Sequence, residues 1–422
     1  MSGMSWVRGL WSVWVLTRVL MVVFTGVTAL PHSVWDASAA DLTLYREWAE
    51  IIVTRHTFPL HDERWQYPPG AGALLALPWV LGGGNGYNWL FFALIAAADA
   101  AALGLLIRAA RRDGGVAART GPWVWVLGVA LLGRICYGRF DLVVACAAAA
   151  ALLWLSRRPR AAGAAVAAGV LLKLWPVLVL LGARGRTLRS AGAAAVCAGV
   201  AAAAGLSALG PGGWSLLRFQ SERGLQIESP AATPLLVARL AGGDWSIVHR
   251  YGADEIVGPA VSAVAACCVV ATLAGGALLL VARWRLRPAV VDLALCAVLL
   301  ATVTSRVLSP QYLVWAVAVA AVCALDPRTT QRPVVTLVLA AALTTQIEFP
   351  FVYDRVATGA LPGVVVLVLR NGLLIYATVW SLLRLRHGAS RAVQESRDGD
   401  ARAPRAADAS ASVRVPAPSA AT

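Results

Sequence analysis

Charged residues are scarce in this chain of 422 residues: they make up 14% of it, while hydrophobic residues make up 59%. A soluble domain carries about a quarter charged residues and less than half apolar ones. This deficit, with a mean hydropathy of +0.69, excludes an ordinary soluble protein. Several apolar runs approach the roughly 20 residues that a helix needs to cross a bilayer, among them 10–30, 87–107, 256–282 and 361–383. We therefore predict a multi-pass membrane protein.

Lysine is almost absent from the chain. Lys173 is the only one, and the other basic residues (37 minus 1) are arginines. The formal net charge of +15 could indicate a nucleic-acid partner. However, the arginines form short clusters between apolar runs, which is typical of cytoplasmic loops that set the orientation of a membrane protein. We expect no nucleic-acid partner.

The chain also lacks the motifs of nucleotide, metal and nucleophile chemistry. It has no Walker loop, no HExxH, no GxSxG and no dinucleotide fingerprint. None of its seven cysteines has CxxC or metal spacing, and most lie inside apolar runs. They indicate small buried side chains rather than disulfides or ligands. We expect no metal and no cofactor.

The arginine clusters predict how the chain crosses the membrane. If all of them are cytoplasmic, five segments lie outside: 31–67, 134–141, 210–255, 305–311 and 347–359. The stretch 161–182 is broken by Lys173 and Pro176, which favours a broken, partly re-entrant helix pair lining a polar cavity. We predict an all-α polytopic fold of about 11 to 13 transmembrane or re-entrant helices, with both termini cytoplasmic.

The chain divides into a membrane domain and a tail. We predict a membrane domain over 1–387, in which the outer loops 31–67 and 210–255 form the catalytic face. The segment 388–422 is rich in Ala, Ser, Pro and Arg and has no apolar periodicity. We predict that it is a disordered cytoplasmic tail.

The first outer loop contains an amphipathic stretch, "DLTLYREWAE" and the residues after it. Its apolar positions 42, 45, 49 and 52 are spaced by three or four residues, which predicts a helix over 41–55 on the membrane surface. Asp41 opens this stretch, and Tyr45 shares its face. Glu47 and Glu50 fall on other faces and are expected to be solvated.

Charges inside or beside apolar runs are candidates for function. Lys173, in "GVLLKLWPVLVLL", needs a partner anion, either in a structural ion pair or at a functional site. Arg139 and Asp141, in "YGRFDLVVA", are a structural pair or members of a site. Arg18 lies midway along the first apolar run, and Asp99 is expected to satisfy helix neighbours.

Polar and aromatic residues recur in the predicted outer segments. Amides and aromatic rings next to acids suit sugars, whereas arginine and lysine suit a phosphate. Together they suggest a lipid-phosphate sugar donor, whose phosphate is neutralised by cations while a carboxylate deprotonates an acceptor hydroxyl. The residues outside Asp41's loop helix are Tyr67, Arg223, Gln226, Glu228, Arg306 and Gln311.

An ordered set of motifs resembles glycosyltransferase family 87, the actinobacterial polyprenol-phosphate-mannose-dependent α-mannosyltransferases of the GT-C class. The resemblance covers residues 10 to 385 and leaves the tail unmatched. The motifs are "DLTLYREWA", "QYPPGAGALLALPW", "GRFDL", "LLKLWPVLVL", "SERGLQIES" and "SRVLSPQYLVW".

The resemblance implies a GT-C fold and inversion at a sugar donated by β-linked polyprenyl-phosphate mannose. It implies that Asp41 is the catalytic carboxylate, with Asp36 as its rival five residues upstream. The resemblance also implies roles for the other candidate residues. Lys173, Arg223 and Arg306 contact the donor phosphate; Tyr45, Tyr67, Gln226, Glu228 and Gln311 line the sugar or acceptor site; Arg139, Asp141 and His249 are further candidates.

Three functions are consistent with these residues. The first is a mannosyltransferase of the bacterial cytoplasmic membrane, working on its outer face on a glycolipid or lipoglycan acceptor. The second is a transporter or flippase of a polyprenyl-linked or anionic substrate, with Lys173 as counter-charge; the absence of a detectable internal duplication disfavours it. The third is a non-catalytic partner of an envelope glycosyltransferase.

Overall fold

The computed structural model describes residues 5–27, 32–113, 115 and 117–402. For residues 22–27, 32–40, 113, 211 and 387–402 it describes the backbone only. This part of the chain contains fifteen α-helices and three short strands. The helices are α1 (Ser5–Val27), α2 (His32–Arg55), α3 (Pro69–Asp113), α4 (Thr120–Leu132), α5 (Asp141–Trp154), α6 (Pro159–Leu172), α7 (Gly185–Ala208), α8 (Ser215–Glu222), α9 (Thr233–Leu240), α10 (Val261–Arg285), α11 (Val290–Thr304), α12 (Leu313–Leu325), α13 (Arg332–Gln346), α14 (Tyr353–Ala357) and α15 (Leu361–Arg402).

Several of these helices are long and apolar enough to cross a membrane. By length and composition, five qualify: Pro69–Arg112, Gly185–Ala208, Val261–Arg285, Arg332–Ala357 and Leu361–Arg386. Four shorter apolar helices accompany them. The prediction of an all-α polytopic fold is confirmed. The helix total exceeds 11 to 13 because α8, α9 and α14 are short helices within the predicted outer segments.

The core is centred on α12, which packs against α4, α5 and α13. Two glycines of α4 allow this close approach. A Cβ on Gly121 would lie 2.6 Å from the backbone oxygen of Ala321, and one on Gly128 would lie 2.4 Å from Val317. Small residues at helix contacts let backbones approach closely, as is common where apolar helices pack in membranes.

A buried ion pair joins α1 to α3. The Arg18 guanidinium donates to Asp99 Oδ2 at 2.8 Å and to the Val126 carbonyl at 2.8 Å. Asp99 also accepts from the Trp125 indole and the Tyr137 hydroxyl, each at 2.7 Å. Because these bonds satisfy the carboxylate on several sides, the pair is structural.

Two helix breaks occur in the structure, and the second is the one that the sequence analysis predicts. Gly83, with φ of 60°, interrupts α3, so that residues 70–81 form an element separate from the next apolar run. Helix α6 ends at Leu172, Lys173 is extended, and a 3₁₀ segment, Trp175–Leu180, follows. Pro176 cannot donate an amide within a continuing α-helix. The predicted break between the arginines at 160 and 184 is therefore confirmed.

The segment between α7 and α10 is folded. It contains α8, α9 and an antiparallel sheet in the order β1 (Leu225–Gln226), β3 (Ala253–Val257) and β2 (Ser246–Arg250). Leu225 pairs with Ile256, and both are fully buried. These side chains form a separate apolar core with α9 and α15. The core holds the loop residues that precede and follow β1 in fixed positions.

Two predicted boundaries differ from the structure. Helix α2 begins at His32, so Asp41 lies within the helix rather than opening it. The apolar run that sets the period begins only at Leu42, which is why the sequence places the start too late. Helix α15 extends to Arg402, into the region predicted to be a disordered tail. Residues 403–422 lie outside the described residues, and the tail stays a prediction.

Candidate active site

Helix α2 presents one buried face, which positions Asp41. Leu42, Tyr45 and Ala49 are buried, whereas Glu47 and Glu50 are exposed. The predicted amphipathic face and the two solvated acids are confirmed. Asp41 lies at the edge of the buried face and keeps 19% of its side-chain surface exposed.

The carboxylate of Asp41 forms an ion pair with the guanidinium of Arg139. Arg139 lies in the turn between the 3₁₀ segment Gly133–Cys136 and helix α5. The interpretation of Arg139 and Asp141 as a mutual structural pair is wrong, because residues two apart at a helix start do not face each other. Each finds its own partner across the fold.

Asp141 is the anion that pairs with Lys173, as the burial of a lone lysine requires. Lys173 Nζ donates to the two carboxylate oxygens at 2.7 and 2.9 Å. The Trp315 indole donates to Asp141 Oδ1 at 2.9 Å. Four ring centroids lie 4.8 to 5.5 Å from the ammonium, which is cation–π distance. We call these rings the lysine cage: Tyr67, Phe140, Tyr312 and Trp315.

An apolar cavity of about 120 Å³ adjoins the lysine cage. Trp315 forms one wall and stacks on both Tyr312 and Trp175, at centroid distances of 4.1 and 5.1 Å. The cavity reaches from the cage to the end of α11. Its lining residues are Trp175, Leu178, Val298, Ala301, Thr302, Ser305, Tyr312 and Trp315.

Tyr45 and Tyr67 both pack on the ring of Phe140. The Tyr45 centroid lies 5.6 Å from that ring and the Tyr67 centroid 5.0 Å. Tyr45 is 1% exposed, whereas Tyr67 also forms part of the lysine cage. The structure therefore brings the predicted Tyr67 and Lys173 together and connects them through Phe140 to the helix of Asp41.

Gln226 and Glu228 lie beside the segment that contains Gln311. The Gln226 side-chain amide donates to Glu228 Oε2 at 2.8 Å and to Ser309 Oγ at 3.5 Å. Its backbone amide donates to the Arg306 carbonyl at 3.0 Å. Gln226, Glu228 and Gln311 are all at least 96% buried. The structure thus brings together three residues predicted to line the sugar or acceptor site.

Arg223 and Arg306 have partners within the outer loops. Arg223 Nη1 donates to Gln66 Oε1 at 3.2 Å, and its Nε lies 3.7 Å from Glu255 Oε1. Arg306 donates to the backbone carbonyls of Gln220 and Ser221. These contacts fix the loop next to Tyr67. No contact joins either arginine to Lys173 in the described part of the chain.

His249 lies at the surface, with 69% of its side chain exposed. Its Nδ1 is 2.8 Å from Asp254 Oδ1, and Asp254 Oδ2 accepts from the Tyr353 hydroxyl at 2.8 Å. His249 therefore touches the edge of the site only through two other residues. The side chain of Asp36, the rival of Asp41, lies outside the described residues.

Sequence reasoning missed two buried charges near Glu228. Glu348, in the π-helical segment Ile347–Val352, and Arg370, in α15, are both 0% exposed. Arg370 Nη2 and Asn371 Nδ2 donate to the Glu228 carbonyl at 2.6 and 3.2 Å. An arginine within the apolar run "VLVLRNGLL" is a signal that could have identified this cluster.

The Glu228 carboxyl lies in an unusual electrostatic setting. Burial raises its pKa well above the usual range, and the negative charge of Glu348 raises it further. Arg370, the hydrogen bond from Gln226 and Arg139 oppose the increase. Burial and a neighbouring negative charge thus favour the protonated form of the Glu228 carboxyl.

We expect Glu228→Gln to flatten the dependence of stability on pH. A carboxyl with a raised folded-state pKa binds protons more tightly in the folded protein, so the free energy of unfolding decreases as pH rises from about 4.3, the unfolded value, through the folded pKa. Removing the group should reduce this slope by up to about 1.4 kcal/mol per pH unit. Thermal unfolding in detergent between pH 5 and 8.5 measures it; parallel curves for the two proteins would contradict the raised pKa.

The fold and the site define a class of protein: a multi-pass helical membrane protein with acids, cations and stacked rings between its helices and a folded loop. The family model of glycosyltransferase family 87 matches residues 65–310, which is more than half of the chain. The chain belongs to this family and is a membrane glycosyltransferase. No curated protein and no solved structure matched the chain in the same comparisons.

Proposed function

We propose that the protein transfers mannose from polyprenyl-phosphate mannose to a glycolipid or lipoglycan acceptor, on the outer face of a bacterial cytoplasmic membrane. The observation that carries this proposal is the Asp41–Arg139 ion pair. The Asp41 carboxylate of this pair is partly exposed and lies on the same helix as Tyr45. Tyr45 and Tyr67 both contact Phe140, and Tyr67 belongs to the lysine cage.

In the proposed reaction, Asp41 is the general base. The acceptor hydroxyl oxygen attacks C1 of the sugar, and its proton passes to the Asp41 carboxylate. The bond between C1 and the phosphate oxygen breaks, and polyprenyl phosphate leaves with the electron pair. Attack opposite the leaving group inverts a β-linked donor to an α-linked product. Positioned general bases contribute about 10² to 10⁴ in rate.

The arginine of the pair suits the donor phosphate. Arg139 is exposed by 17%, and bidentate guanidinium–phosphate contacts are favourable. Lys173 lies in the same region but is already neutralised by Asp141. Arg223 and Arg306 remain proposed phosphate contacts that act from the outer loops. The cavity beside the lysine cage is lined mainly by apolar side chains, which suits the first prenyl units.

The loops 31–67 and 210–255 form the catalytic face in this proposal. The Gln66 side chain connects them, since its Oε1 accepts from Gln220 at 3.0 Å and from Arg223 at 3.2 Å. The part of the chain that the structure describes has no group of three or more His, Cys, Asp or Glu side chains arranged to hold a metal ion. In the proposed reaction, cationic side chains neutralise the donor phosphate.

The test is sugar transfer by the purified protein in detergent, supplied with labelled polyprenyl-phosphate mannose and a lipid acceptor. We expect labelled glycolipid and polyprenyl phosphate to form in equal amounts. Transfer without a second compartment would rule out a flippase or transporter as the only activity. Transfer from polyprenyl-phosphate glucose but not mannose would overturn the donor assignment.

A further inference from the structure

Unpartnered hydrogen-bond acceptors concentrate on one side of the site. Within the described residues, both carboxylate oxygens of Glu348 lack a hydrogen-bond partner, as do Oε1 of Glu228, Gln226 and Gln311. Each of these side chains is at least 96% buried. We call these four residues the acceptor cluster. Buried polar atoms are nearly always paired in proteins, and an unpaired one costs about 1 to 3 kcal/mol.

The acceptor cluster is a connected group. Gln226 Nε2 donates to Glu228 Oε2, and Gln226 lies beside Ser309, two residues before Gln311. The segment that carries Glu348 packs on α15, whose Arg370 and Asn371 donate to the Glu228 carbonyl. The segment that carries Glu348 packs on α2, the helix of Asp41. The cluster therefore lies within the site and not apart from it.

Unpartnered donors accompany these acceptors on the neighbouring helix α15. Arg370 is fully buried, and its Nε and Nη1 have no hydrogen-bond partner among the described residues. Its Nη2 is used by the Glu228 carbonyl. No ion-pair contact within 4 Å joins Arg370 to Glu348 in the described chain. The site thus contains several unpartnered acceptors and a guanidinium that forms no ion pair with Glu348.

This combination suits sugar hydroxyls and disfavours a phosphate. A donor phosphate has only acceptor oxygens, so it cannot donate to the unpartnered oxygens of Glu348, Gln226 and Gln311. A hydroxyl is both donor and acceptor, so neighbouring hydroxyls can donate to Glu348 and accept from Arg370. A site built to bind a hydroxyl also rejects a sugar that lacks it in the right orientation, because buried groups are then left unpaired.

We infer that the acceptor cluster binds the hydroxyls of the transferred hexose and that Glu348 is a specificity-determining residue for this sugar. The inference rests on the proposed function, which supplies a lipid-phosphate hexose as substrate. It assigns the phosphate to the Arg139 side and the sugar hydroxyls to the Glu348 side.

Binding to the purified full-length protein in lipid nanodiscs tests the inference. The probes are polyprenyl phosphate and the same lipid carrying mannose, glucose or galactose. In the unaltered protein, at least one hexose should tighten binding relative to the bare phosphate. Glu348→Gln should reduce that gain by about tenfold or more, with the Kd of the bare phosphate unchanged within about twofold. Glu50→Gln, an exposed acid on α2, should change neither.

The outcomes separate the inference from the proposed function. An equal loss for bare and sugar-bearing lipids in folded Glu348→Gln protein would overturn the inference, as would a wild-type protein to which no hexose adds affinity. A gain from glucose or galactose alone would overturn the mannose donor and leave the inference standing. If Glu348→Gln does not fold, Gln311→Ala decides: a selective loss of the hexose gain supports the inference, and an unchanged gain refutes it.

Discussion

Asp41→Asn is expected to lower kcat for sugar transfer by a factor of about 10² to 10⁴, the usual contribution of a general base. The amide keeps the size of the carboxylate and can still accept a hydrogen bond from Arg139, but it cannot take the proton of the acceptor hydroxyl. Donor binding should persist, since the arginine remains in place. The measurement is initial transfer rate with labelled donor, together with donor Kd.

Two controls make this result specific to Asp41. Glu50→Gln lies on the exposed face of the same helix and should retain full activity. Asp36→Asn tests the rival carboxylate under the same conditions. Full transfer by Asp41→Asn, or a loss confined to Asp36→Asn, would remove Asp41 from the mechanism while leaving the family assignment intact.

Lys173→Met is expected to have the largest effect on stability, about 3 to 5 kcal/mol less free energy of unfolding. Asp141 is only 1% exposed and Lys173 11%, so removing the ammonium leaves a buried carboxylate without its counter-charge. The double variant Lys173→Met, Asp141→Asn should regain most of the loss, because the asparagine is neutral and still accepts from Trp315. Denaturant unfolding in detergent measures all three proteins.

An exposed ion pair provides the matched comparison for Lys173. Arg328 has 84% of its side chain exposed and pairs with Asp326 at 3.1 Å. Arg328→Gln should therefore cost less than about 1 kcal/mol. If Lys173→Met is as stable as the unaltered protein and loses only donor binding, then Lys173 serves the phosphate rather than the fold.

The local sequence pattern was sufficient to predict the class of the protein and several features of its helices. The shortage of charge predicts the membrane, and the spacing of Leu42, Tyr45 and Ala49 predicts the buried face of α2. Lys173 and Pro176 predict the break after α6, because a charge and a proline within an apolar run disfavour a continuous membrane helix. The resemblance to family 87 is confirmed by the family model over residues 65–310.

Composition and periodicity act over a few turns of chain, so the sequence by itself determined the helices, their apolar faces and the residue types available for a reaction. Partners were decided only by tertiary structure. Arg139 pairs with Asp41, 98 positions away (139 minus 41), and Asp141 pairs with Lys173. Arg370 reaches the Glu228 carbonyl because α15 packs against α9 of the outer loop. Charges attract whichever opposite charge the packed helices bring near, and no local pattern carries that information.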